Sequence, residues 1–154
     1  MIKIDVVIDN KQWKKYLKNP NKLIKRKISL LNKKDIKLKN NNFMCSLLLS
    51  NNRRIKKLNS KYRNKTKSTD VLSFPFYEKK DLKKIMSKKK MIYLGDIIIS
   101  LDKIKNKKNK SKFIIEFDKL WVHGLLHLFG FKHYKDKDFK KMSSIEKKYL
   151  SYIT

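Results

Sequence analysis

The chain has 154 residues, enough to fill one core and too few for two comfortable ones. Leu, Ile, Val and Phe supply 18, 17, 4 and 8 residues, which excludes a disordered chain despite a formal net charge of +29. Lys provides 38 of the 42 basic residues and Ala is absent, the mark of an AT-biased coding sequence, so the charge excludes cationic targets but is only supporting evidence for a nucleic-acid partner.

Ile2 to Ile8 is rich in β-branched residues and predicts a strand. Asn10 then caps a helix through Trp13 and Leu17 that stops near Pro20, and a second helix carries Leu23 to Leu31. Phe43 to Leu49, an apolar run between Asn clusters, predicts a buried strand, with a helix around Arg53 to Asn59 after it. Val71 to Phe76 and Leu94 to Ser100 are further strands. Between them, Glu78 to Lys90 has apolar residues only at Leu82, Ile85 and Met86, whose spacing fits one helical face at most, and is expected to be a surface insertion. Phe113, Phe117, Leu120, Trp121 and Leu128 recur at helical intervals, placing a long buried helix from about Lys112 to Phe129 that Gly130 ends. Asp138 to Tyr152 is one more amphipathic helix. Strands alternating with helices predict an α/β or α+β chain, one domain over residues 1–154, with a mixed sheet of about four strands and helices packed on it. Trp13, Trp121, Leu125, Leu126, Leu128 and Phe129 are expected in the core.

Cys45 lies alone in an apolar run, which predicts a buried thiol and suits a reducing compartment. The N-terminus lacks a charged region followed by an apolar stretch, and no segment reaches the roughly 18 apolar residues of a membrane span. The expectation is a cytoplasmic protein with no membrane partner.

The chain's three histidines fall at i, i+4 and i+10: His123, His127 and His133. Residues four apart on a helix differ by about 40° in azimuth, so His123 and His127 share a face. Gly130 lets the chain reverse and brings His133 back as a third ligand. Three protein nitrogens leave a fourth position open, the arrangement of a catalytic zinc, here one ion. Three histidines scattered at random would show this spacing in about one case in 4,000. Metzincin peptidases share it, but they need Glu as general base where this chain has Gly124. RNA is less demanding, since its 2′-hydroxyl is a built-in nucleophile.

The run His-Gly-x-Leu-His-Leu-x-Gly followed by x-x-His resembles the signature of the YbeY family of ribosomal-RNA maturation factors. Leu58-Asn59-Ser60-Lys61-Tyr62-Arg63 with Thr69-Asp70-Val71-Leu72-Ser73-Phe74-Pro75, and Leu94-Gly95-Asp96-Ile97, resemble two further blocks of that family. The resemblance implies a single-strand-directed endoribonuclease acting in 16S rRNA 3′-end maturation and ribosome quality control. It implies zinc on the three histidines in a zincin-like cleft, ribosomal RNA and the ribosome as partners, and no nucleotide cofactor. It also implies a catalytic role for Arg63, whose planar fork suits a phosphate. The family usually has Asp before the third histidine, whereas this chain has Lys132. Asp70 and Asp96 read equally as partners of the site or as turn residues. The alternatives are a zincin-type metallopeptidase, which Gly124 weakens, and a non-catalytic ribosome-assembly factor with a structural metal, which the charge and Lys132 favour.

Overall fold

The structure is a computed structural model that describes residues 1–38, 40–88 and 91–154. Its centre is a four-stranded mixed sheet of β1 (Ile2–Ile8), β2 (Asn42–Ser50), β3 (Val71–Pro75) and β4 (Met91–Ser100), ordered β1-β2-β4-β3. β1 and β4 each run parallel to β2, and β3 pairs antiparallel with β4 at the edge. Around the sheet lie α1 (Pro20–Lys34), α2 (Asn52–Arg63), α3 (Lys79–Met86), α4 (Lys110–Leu128) and α5 (Asp136–Ile153).

Alternation along the strands gives the sheet two unlike faces. Ile2, Phe43, Cys45, Leu47, Leu49, Ile97 and Ile99 point into the main core, with α1 and α4 on the strands and α5 against both helices. On the other face, α2 covers only one end, where Ile55, Leu72 and Ile98 form a second small cluster, and Val7 and Tyr93 stay exposed. The helices of the main face are also tied by one buried ion pair. Lys27 of α1 donates to Asp118 of α4 at 2.7 Å and to the carbonyl of Ile153 in α5 at 3.2 Å.

Asparagine starts most of these helices. Asn19, Asn51 and Asn109 each accept a backbone N–H of the first turn of α1, α2 and α4. Asn10 also caps as expected, but it opens a short 3₁₀ turn, Lys11–Lys15, and not a helix reaching Pro20. Pro20 opens α1, because a first-turn proline needs no N–H partner and its φ is already helical. The expected surface insertion is corrected too. Lys79–Met86 forms α3, Leu82 is buried in the main core, and Ile85 and Met86 pack against it. Lys89 and Lys90, the end of that stretch, lie outside the described residues. Trp13 and Trp121 are fully buried, and Trp13 meets Phe113 and Phe117 while donating Nε1–H to the carbonyl of Ser50.

Candidate metal centre

α4 presents Phe113, Phe117, Trp121, Leu125 and Leu128 to the core, which leaves His123 and His127 half-buried on its flank. Gly124 lies against the sheet, and Ser73 donates its hydroxyl to the Gly124 carbonyl at 3.2 Å. A Cβ at this position would stand 2.6 Å from Ile97 Cγ2 and 3.2 Å from Ser73 Oγ. A side chain there would require Ile97 or α4 to shift, so packing, like the sequence, disfavours the glutamate of a metzincin.

After Leu128 the chain reverses through a Schellman turn: Gly130 N–H donates to the His127 carbonyl at 2.9 Å and Phe131 N–H to the Leu126 carbonyl at 3.1 Å. Gly130 has φ +80°, and a Cβ there would also come within 2.8 Å of Lys79 Cβ on α3. The turn brings His133 to the other two rings, with centroids 5.5 Å from His123 and 5.0 Å from His127. One nitrogen from each histidine lies within 4.8 Å of the others.

Each of the two helical histidines is held from behind. His127 Nδ1 lies 2.9 Å from the Phe131 carbonyl, and His123 Nδ1 lies 3.3 Å from Glu146 Oε1 on α5. Carbonyl and carboxylate can only accept, so both Nδ1 atoms carry the proton and both Nε2 lone pairs are free. Those Nε2 atoms approach to 3.0 Å. Nitrogens around a tetrahedral zinc at about 2.0–2.1 Å are spaced by roughly 3.3 Å, close to this one separation, and with a His133 nitrogen within 4.8 Å the three could hold a metal ion. Burial, followed by the neighbouring His123 and more weakly by His133 and Arg63, pushes His127 down to about 4, which keeps its lone pair available at neutral pH.

Arg63 is the exposed last residue of α2 and forms no ion pair among the described residues. Its charge is the weakest of the influences that lower His127. Asn59 shapes the chain behind it: the buried amide donates to the Lys67 carbonyl at 2.6 Å, and the Asn59 carbonyl accepts from Asn64 and Lys65. Asn64 makes the turn in the left-handed region at φ 52°.

The other acidic candidates are placed elsewhere. Asp70 accepts from Thr69 and from its neighbour Val71 in a local turn, and Asp96 accepts from the Tyr93 hydroxyl on the open sheet face. Lys132 lies over the Tyr134 ring. The carboxylate that touches His123 is Glu146, which sequence reasoning misses. Its signal is position: Glu146 falls on the stripe of α5 that carries Met142, Tyr149 and Ile153 inward.

A family model described as Endoribonuclease YbeY matches residues 7–154. The chain belongs to the YbeY family. An Endoribonuclease YbeY from Pelagibacter ubique is 47% identical over 146 residues, covering 92% of this chain and 90% of that one. Another YbeY, from Caldicellulosiruptor bescii, is 39% identical over 127 residues, covering 79% and 80%. The solution structure of TM1509 from Thermotoga maritima shares the fold, with a TM-score of 0.58 at 24% identity over 98% of this chain and 89% of that one. Among the described residues no helix is long and apolar enough to cross a membrane.

Proposed function

We propose that residues 1–154 act as one domain, a zinc-dependent endoribonuclease that cuts single-stranded RNA in 16S rRNA 3′-end maturation and ribosome quality control. His123, His127 and His133 are the ligands of a single zinc in a zincin-like cleft, and ribosomal RNA in the cytoplasm is the substrate. The observation that carries this reading is the convergence of three histidine nitrogens within 4.8 Å beside a Gly124 whose packing disfavours a peptidase glutamate. Membership of a family whose curated relatives are named endoribonucleases supports the choice of RNA.

When bound, zinc supplies a Lewis acid for a phosphoryl oxygen and lowers the pKa of its water to about 7. The chain's own residues supply the rest. Glu146 and the Phe131 carbonyl fix the tautomers and ring orientations of His123 and His127, which narrows the geometry in which a phosphate is presented. Arg63 grips that phosphate with two parallel N–H donors and offsets the charge that builds on it. The substrate's 2′-hydroxyl can serve as the nucleophile.

Purified protein incubated with single-stranded RNA and with casein, each with and without a chelator, tests the reading. The expected result is RNA cleavage that the chelator abolishes and no cleavage of casein. Chelator-sensitive casein cleavage would establish a peptidase instead. Binding to ribosomal particles with neither cleavage would establish an assembly factor.

A further inference from the structure

The chain has a second concave surface whose chemistry the metal centre does not explain. A groove of about 550 Å³ opens between the 3₁₀ turn with the first half of α1 and the segment entering α4. Seven of its thirteen lining residues are Lys or Arg and none is acidic, against 42 basic residues in 154 for the whole chain. Lys15, Lys22 and Arg26 stand on one wall and Lys107, Lys108 and Lys110 on the other. Arg26 is one of only four arginines in a chain that otherwise uses lysine.

The excess is local. A groove of similar size, about 510 Å³, on the open face of the sheet is lined by a single cation, Arg54, together with Asp96. The acidic groups Glu116 and Asp118 of α4 have hydrogen-bond partners outside the groove, although the charge of Arg26 also acts on Asp118. Glu116 accepts from Lys105 and Asn106, and Asp118 is bonded to Lys27 and Trp121. Among the described residues none of the seven cations takes part in an ion pair. The floor is different: Tyr16 lies stacked on Phe113, with ring centroids 5.0 Å apart and planes 12° apart, beside Leu23 and Ile114.

We propose that this groove is an exosite for the phosphate backbone of single-stranded RNA, engaging the substrate away from the bond that is cut. Cations on both walls with an apolar, aromatic floor match a strand in which phosphates alternate with base faces. A flat anionic membrane would not reach into such a recess. Lys110 and His127 lie seventeen residues apart on one helix, which at 1.5 Å per residue puts the groove about 25 Å from the histidines. A short RNA can fill only one of the two places, and a longer one fills both, with the groove raising affinity and leaving the chemistry alone. The choice of RNA as the polyanion rests on the endoribonuclease reading.

The test uses the full-length zinc-loaded protein and fluorescent RNAs with 2′-O-methyl groups that block cleavage, about 20 and about 5 nucleotides long. One variant carries Lys15→Gln, Lys22→Gln and Lys108→Gln; a control carries Lys33→Gln, Lys83→Gln and Lys147→Gln, exposed lysines outside the groove. Both are first shown to melt as wild type does. The groove variant is expected to bind the long RNA at least about tenfold more weakly at low salt, with the slope of log Kd against log salt reduced by about 2, at roughly 0.7 for each phosphate no longer neutralised. The control keeps most of the affinity for both RNAs, and the groove variant loses less with the short RNA, which gains nothing from filling both places. Equal losses in both variants would overturn the proposal, leaving diffuse charge only. So would a groove variant that binds RNA normally but loses binding to phosphatidylserine vesicles. Cleavage of an unmodified RNA, measured separately, keeps the two readings apart: loss of groove binding in a protein that cuts nothing would refute the nuclease reading alone.

Discussion

His123, His127 and His133 are legible in the sequence because their chemistry depends on spacing, and spacing is what a linear chain records. The structure brings the three together on the terms that the helix period and Gly130 set. Glu146 is not legible in that way, since a lone acid on a distant helix has no spacing to the residue it orients. Arg63 lies between these cases. Its position in the chain implies no geometry, and only the resemblance to a family marks it. Its proposed work separates chemistry from metal binding, because a guanidinium stays protonated and cannot ligate zinc. Arg63→Ala is therefore expected to retain zinc and melting temperature while losing about 10²–10³ in single-turnover cleavage, the usual contribution of one such donor. Arg63→Lys should recover part of the rate, since a point charge replaces a two-pronged contact. Wild-type cleavage by a folded, zinc-loaded Arg63→Ala would remove Arg63 from the reaction, and loss of zinc would make its role structural.

Helices and strands are legible where an apolar period runs for several turns, as in α4 and β2, and obscure where one residue decides the outcome. α3 has a single fully buried residue, Leu82, so its lysines hide a helix that closes the core. Pro20 looks like a stop in the sequence, whereas it stands at the first position of the next helix. At this scale Gly124 offers the sharpest test of the packing. Replacing a mid-helix Gly with Ala normally stabilises by about 1 kcal/mol. Here the added carbon would stand 2.6 Å from Ile97 Cγ2, and overpacking a well-filled contact costs about 1–3 kcal/mol. The second term wins, so Gly124→Ala is expected to lower the urea midpoint and to weaken zinc binding by lifting α4 from the sheet. Pairing it with Ile97→Ala should recover part of the loss, seen as favourable coupling in a double-mutant cycle. A more stable Gly124→Ala would show that the contact yields easily.

The molecule as a whole is legible as a mixed sheet of about four strands with helices on it, but its strand order is not. Pairing β4 between β2 and β3 depends on contacts far apart in the chain, and the alternation of elements does not encode it. Nor does composition say where the charge acts, because drift toward lysine raises it everywhere. Cys45 reports on the integrity of the whole sheet. Burial, with Asp96 and Asp5 adding to it, pushes its thiol up to about 12. The folded state therefore keeps a proton that the unfolded chain releases, so this group takes stability away as pH climbs above the ordinary thiol range toward 12. At pH 8 a thiol reagent should modify native Cys45 at least about 10³-fold more slowly than in denaturant, at a rate set by opening of the sheet. Rapid modification of the native protein would show that the strands open locally.

α4 joins the basic groove to the histidines as a single unbroken rod, and its peptide units all point the same way. Aligned peptide dipoles place about half a positive charge at the Lys110 end and half a negative charge at the His127 end. An anion at the first end and a divalent cation at the second are each favoured by about 0.3–1 kcal/mol before any side chain is counted. The molecule thus has an electrical polarity that does not depend on its lysines. A drift in surface composition that removed much of the +29 would leave that axis intact, with its positive end still toward the groove and its negative end still toward the three histidines.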